Sequence, residues 1–210
     1  MKVLIRRFTA LFFSATLVSL SAVSAFGQAA KVVADNPVFE PLPSPDFSSG
    51  GQKNWKAKEW LEMEVKFKVA LSPKPKSETC DKLTVKWYVL AENPDIDGTY
   101  LLFTKDVEHV NIPLEEDVYC SAYLSPASIK RLTGGDRASK RVIDAVGFEI
   151  LVNGAVATSG TSKYADRWWT ATSSKMKISR SDVVPLLNKS ETPFSHMWWD
   201  RYAEILMERR

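Results

Sequence analysis

Apolar and polar residues alternate along most of the chain with the period of two that marks strands buried on one side. The clearest stretch runs from Val142 to Ser159. There Val146, Phe148, Ile150 and Val152 fall on one face and Gly147, Glu149 and Leu151 on the other, before an Asn153-Gly154 pair and a second short strand. Asn-Gly accepts positive φ at both turn positions, so the segment predicts a β-hairpin with a type I′ turn. The same alternation sets Leu61, Met63, Val65, Phe67 and Val69 behind Trp60 against Glu62, Glu64, Lys66 and Lys68. It recurs in Leu83, Val85, Trp87 and Val89. Further strands are expected over Thr99–Thr104, Val107–Pro113 and Val118–Leu124, and one broken strand or two short edge strands follow Trp168, Trp169, Met176 and Ile178.

Helical signals are few. Ser125-Pro126 opens a short helix to about Leu132, with Ser125 placed to cap and Gly134 at the exit. Ser181–Asn188 reads as a short helical or turn segment broken by Pro185. Thr192–Arg210 reads as an amphipathic helix, because Trp198, Tyr202 and Ile205 recur at spacings of four and three. Ahead of all of these, Pro37, Pro41, Pro43 and Pro45 and the Ser48-Ser49-Gly50-Gly51 cluster predict an extended arm over 30–53, either solvated or laid on the domain or a neighbour as an added strand. The expected organisation is therefore a leader (1–29), the arm (30–53), a β-sandwich (54–180) and a helical tail (181–210). The fold class is all-β: an antiparallel immunoglobulin-like β-sandwich with one short helix and a C-terminal amphipathic helix. Trp87 follows Cys80 and Tyr119 directly precedes Cys120, which departs from immunoglobulin spacing and leaves a partly open barrel as the alternative.

The first residues change the charge picture. Lys2, Arg6 and Arg7 precede an apolar run from Phe8 to about Ala25 and small residues through Ala29, the pattern of a secretory signal cleaved after Ala29 or, alternatively, Ala25. Thr16, Ser19, Ser21 and Ser24 interrupt that run, against a retained membrane anchor. The whole chain carries 28 basic and 25 acidic residues, and the leader holds three of the basic ones, so the exported part is formally neutral. That balance argues against a nucleic-acid partner. Export also brings Cys80 and Cys120 into an oxidising compartment, where they are expected to pair as a disulfide, two buried thiols being the alternative.

Candidate chemistry is sparse. The two histidines, His109 and His196, are separated from both cysteines, and no triad, zinc spacing or Gly-rich phosphate loop can be drawn, so neither an enzyme nor a cofactor is expected. Two distant carboxylates could meet as a glycosidase pair, but nothing in the sequence selects them. Asn93, Asp95, Asp97 and Gly98 match the start of a calcium loop, yet its twelfth position is Thr104, which supplies no carboxylate; a plain Asx-Gly turn is the reading, and no metal site is assigned. The richer signal is aromatic. Trp168-Trp169 and Trp198-Trp199 are adjacent pairs, and with Tyr202 they are the candidate partner-binding residues, since an exposed ring can anchor a protein or stack on a glycan. The alternative is that these rings fill the core.

A family resemblance rests on Pro37-Val38-Phe39, on the strand from Asn54-Trp55 to Val65, and on Lys189-Ser190-Glu191-Thr192-Pro193-Phe194 through Trp198-Trp199-Asp200-Arg201-Tyr202. With the leader, these make the chain resemble the small secreted pilus-like proteins found with verrucomicrobial type IV pilus genes. The resemblance implies an immunoglobulin-like sandwich of the periplasm, outer membrane or cell surface, engaged with protein partners of the envelope or pilus system in assembly or adhesion, and capable of self-association. In true pilins the hydrophobic helix stays in the fibre, whereas here the apolar run precedes the cleavage region, which implies an accessory or differently assembled subunit. A glycan-binding sandwich using exposed tryptophans is the competing expectation.

Overall fold

The computed structural model describes residues 29–46, 56–170 and 176–207. The expected signal segment, up to Gln28, and the Asn54-Trp55 pair lie outside the described residues. No helix among the described residues is long and apolar enough to cross a membrane.

The fold is an all-β, immunoglobulin-like sandwich. In chain order the strands are β1 (Ala29–Ala34), β2 (Val38–Pro43), β3 (Glu59–Ser72), β4 (Thr79–Glu92), β5 (Thr99–Pro113) and β6 (Val118–Leu124). Helix α1 (Pro126–Thr133) follows, then β7 (Ala145–Val152), β8 (Ala155–Thr161), β9 (Lys177–Arg180), β10 (Leu187–Asn188) and β11 (Glu204–Ile205). The first sheet has the order β1-β3-β6-β10 with β2 also on β3; the second has β11-β5-β4-β7-β8 with β9 also on β5. All strand pairs are antiparallel except β5 with β9.

Alternation decides which residues fill the gap between the sheets. Leu61, Met63, Val65, Phe67 and Val69 of β3 meet Leu83, Val85, Trp87 and Val89 of β4, joined by Phe103, Val107, Cys120, Phe148 and Ile150. Trp87 is fully buried at the centre, its ring 6.5 Å from that of Phe148. The runs expected as two strands at Thr99–Thr104 and Val107–Pro113 are one continuous strand, because Lys105 and Asp106 interrupt the apolar pattern without breaking the ladder to β4. Helix α1 stands where expected: Ser125 Oγ accepts from the Ser128 amide, and Gly134 closes the helix at φ 73°.

The hairpin turn has Asn153 at φ 52° and Gly154 at φ 78°, as the predicted turn requires. Strand β7, however, is buried on both faces. Residues 162–170 fold back over it, setting Trp168 and Trp169 with Leu90, Leu102 and Ala145 in a second, smaller core on the outer side of the sheet. Instead of forming a strand, Trp168–Thr170 make a single 3-10 turn.

The described part of the expected arm is an edge. Strand β1 pairs with Phe67–Ser72 and β2 with Glu59–Glu64, both on the same side of β3, and Asp35–Pro37 make a bulge between them. Pro41 and Pro43 sit at alternate positions of β2, where a residue without an N–H can lie only with that side turned away from the ladder.

Two expectations are overturned. The disulfide is absent: Cys80 and Cys120 are buried free thiols, one in each sheet. Each points at a carbonyl of its own sheet, Cys80 Sγ at Lys82 O (3.5 Å) and Cys120 Sγ at Val65 O (3.8 Å). The C-terminal amphipathic helix is also absent among the described residues. Pro193–His196 form one 3-10 turn, started by Thr192 Oγ1 accepting from the Phe194 amide, and Trp198 at φ 54° reverses the chain. Of the helix or turn expected over Ser181–Asn188, the turn holds: the chain bends at Val183–Val184 and runs into β10. Tertiary burial overrides the spacing of three and four, because the tail gains more by touching both sheets than by coiling on itself. Tyr202 bridges to Tyr119 of β6 in the first sheet, and Glu204–Ile205 pair with His109 and Val110 of β5 in the second.

Candidate protein-contact face

Strand β3 turns Trp60, Glu62 and Glu64 away from the core, and β6 turns Tyr119, Ser121 and Tyr123 the same way. The tail from Lys189 to Ala203 lies over these side chains. Phe194 is buried between them, stacked on Tyr123 (5.4 Å, 18°) and edge-on to Trp60 (5.8 Å, 83°). Trp198 stacks in turn on Phe194 at 6.4 Å. The Asn188–Glu191 turn that leads into this layer is held by a capping box, Asn188 Oδ1 accepting from the Glu191 amide while Glu191 accepts from that of Asn188.

Polar groups hold the layer down from below. The Tyr123 hydroxyl donates to Glu62 Oε1 at 2.6 Å, and the Tyr202 hydroxyl lies 3.0 Å from the same oxygen and 2.5 Å from Glu64 Oε2. Arg201 Nη2 donates to Glu64 Oε1 at 2.6 Å, and its guanidinium sits 3.8 Å above the Tyr119 ring. Lys189 is buried, donates to the Met197 carbonyl, and sits 5.0 Å from the Tyr202 ring and 5.9 Å from that of Trp199. Burial pushes the Lys189 ammonium below its usual range, opposed by the charge of Glu62. Burial pushes the Glu62 carboxyl up, partly offset by the hydrogen bonds from Tyr123 and Tyr202 and reinforced by Glu64.

Two concavities flank the layer. A cleft of 310 Å³ lies between β2 and the tail, with Val38, Leu42 and Trp198 as walls and Glu62, Glu64 and Arg201 along its floor. A more apolar groove of 330 Å³ runs on the far side between Val110, Trp199, Ile205, Leu206 and Met207. Trp199 and Met207 are 63% and 69% exposed, and Trp198 and Leu206 are also exposed. The apolar surface left open here is continuous with the covered aromatic layer, the arrangement of a contact surface with a rigid base.

The candidate residues therefore divide. Trp198, Trp199 and Tyr202 come together on the tail. Trp168 and Trp169 are 4% and 7% exposed and belong to the second core. Glu62, Glu64, Lys189 and Arg201 were not singled out from sequence. Alternation did mark Glu62 and Glu64 as outward-facing, but no local pattern tells an outward carboxylate that meets water from one that the tail covers. His109 is buried under the tail, its Nδ1 3.1 Å from the Ala203 carbonyl.

A protein-family model matches residues 23–209 of the chain. A crystal structure of a protein from Akkermansia muciniphila matches with 35% sequence identity and a TM-score of 0.81, over 87% of this chain and 96% of that one. A comparison with curated proteins returns no match.

Proposed function

Because the chain belongs to the family of this Akkermansia muciniphila protein, we propose that it is an exported envelope protein of a pilus system that works by protein contact through its tail face. The observation that carries this reading is the exposed apolar groove lined by Trp199, Leu206 and Met207, beside the hydrogen-bonded aromatic base that Tyr202 anchors. Such residues anchor protein partners, because large rigid side chains bury area at low entropic cost. The sequence resemblance to verrucomicrobial pilus-like proteins supports this compartment and this kind of partner. A tagged protein passed over an envelope extract is expected to retain pilus subunits, and Trp199→Glu is expected to release them. Retention of no pilus component overturns the reading.

Among the candidate tryptophans, a glycan-binding role would use Trp198 and Trp199, since Trp168 and Trp169 are covered. The cleft favours it to one extent: Trp198 stands beside two carboxylates and a guanidinium, groups that pair with sugar hydroxyls. Glycan-array binding lost on Trp198→Ala, without retention of pilus subunits, would select this role instead.

A further inference from the structure

The hydrogen-bond array under the tail contains more contacts than its hydroxyl protons can fill. Ser121 donates to the Tyr123 oxygen at 2.9 Å, and Tyr123 uses its own hydrogen on Glu62 Oε1. Tyr202 then has one hydrogen for two carboxyl oxygens, Glu62 Oε1 at 3.0 Å and Glu64 Oε2 at 2.5 Å. With both carboxyls ionised, one of these contacts would set two oxygen lone pairs against each other without a hydrogen between them. One additional proton resolves the array. Arg201 already pairs with Glu64, which fixes the negative charge there. The proton then belongs on Glu62, whose O–H donates to Tyr202 while Tyr202 donates to Glu64.

We infer that this shared proton between Glu62 and Tyr202 is a latch on the aromatic tail, so that the tail face is regulated by pH. The inference rests on the reading of that face as the partner surface. With the proton in place, Tyr202 is held against both carboxyls, and Trp198, 6.5 Å from its ring, is fixed through it. Loss of the proton to solvent leaves the single Tyr202 hydrogen between two carboxylates, since that of Tyr123 stays on Glu62, and Tyr202 keeps Glu64 and lets Glu62 go. The charged and titratable groups facing Glu62 are Glu64 on its own strand, Glu40 directly opposite it on β2, Tyr119 and Tyr123 on β6, Lys189 on the turn after β10, and Arg201 and Tyr202 on the tail. Glu40 is already paired with Lys140 at 3.3 Å, and Arg201 is engaged by Glu64 and Tyr119. Lys189 is turned to the Met197 carbonyl, so no cation bonds directly to Glu62 among the described residues.

The test is ¹⁹F NMR of the protein labelled with 5-fluorotryptophan, with the Trp198 resonance assigned by its loss in Trp198→Phe. It is expected to shift with a single midpoint above 4.5, the ordinary glutamate value, while the resonances of Trp87 and Trp169 stay in place. Glu62→Gln is expected to abolish the shift. Glu64→Gln, which removes the neighbouring charge, is expected to move the midpoint down and gives an answer if the first variant fails to fold. A Trp198 resonance that does not move, or that moves alike in wild type and both variants, overturns the latch. Retention of pilus subunits measured below and above the observed midpoint separates this from the functional reading. A titration without retention at either pH leaves the latch and removes the partner surface; equal retention at both removes the regulation and leaves the surface.

Discussion

The ring of Trp169 lies so close over Gly147 that a Cβ added to the glycine would stand 2.2 Å from its Cζ3. The same ring is stacked at 4.5 Å and 9° on Tyr88, which blocks its retreat. Glycine at 147 is therefore a requirement of the second core, unrelated to the turn that follows it. Gly147→Ala is expected to destabilise the fold by about 1–3 kcal/mol through overpacking. The change should appear as a lower urea midpoint with an unchanged m-value. Combined with Trp169→Leu, the two losses should add to less than their sum, because the second removes the clash made by the first.

Gly154 gives the contrasting case. A Cβ there meets nothing within 4 Å, so any penalty comes from its φ of 78° alone. Gly154→Val is expected to lower stability by about 1–2 kcal/mol, and Gly154→Asn by clearly less, since Asn tolerates the left-handed region. Thermal melts of the two variants check this, and equal melting temperatures would remove backbone strain as the cause.

Burial holds His109 neutral and lowers its pKa from 6.5 to about 4, against the opposing hydrogen bonds to the Ala203 and Glu204 backbone. Between those values the unfolded chain binds a proton that the folded chain does not. The contribution of His109 to stability is therefore complete above pH 6.5, falls as the pH drops from there to about 4, and amounts to on the order of 3 kcal/mol. Glu62 acts with the opposite sign, since a raised folded carboxyl favours the native state as the pH falls. Denaturation of His109→Asn across this window should show a flatter acid dependence than the wild type, and curves of equal slope would exclude His109 as the source.

With Cys80 and Cys120 as thiols, reductant is expected to leave the melting temperature unchanged. Both cysteines should react with a thiol reagent in denaturant without reductant and resist it in the native state. Burial raises both thiols, that of Cys120 far above its ordinary range, and so suppresses the reactive thiolate. A protein purified with no titratable thiol would contradict the structure.

How much of this was legible in the sequence depends on whether a feature is local. The inward sets at Leu61–Val69 and Leu83–Val89, the Asn153-Gly154 turn and the Ser125 to Gly134 helix are decided by residues within a few positions of one another, and they stand as read. What covers the outer faces is not local. Gly147 and Glu149 look like solvent-side residues until residues 162–170 return over them. Trp198 and Tyr202 do meet, as their spacing suggests, but across a reversed loop in place of a helix turn, and Ile205 leaves them for the other sheet. The contact face was visible only as aromatic residues in the tail; its carboxyl floor on β3 lies about 140 residues earlier in the chain.

The two prolines of β2 have a consequence for how molecules of this protein can meet. A second chain laid along that border would find carbonyl oxygens but, at Pro41 and Pro43, no hydrogen to receive. The β2 part of this border is thus closed to strand addition by sequence. Copies crowded together at a surface would remain separate bodies there, joined by side chains and never fused into one continuous ribbon of backbone.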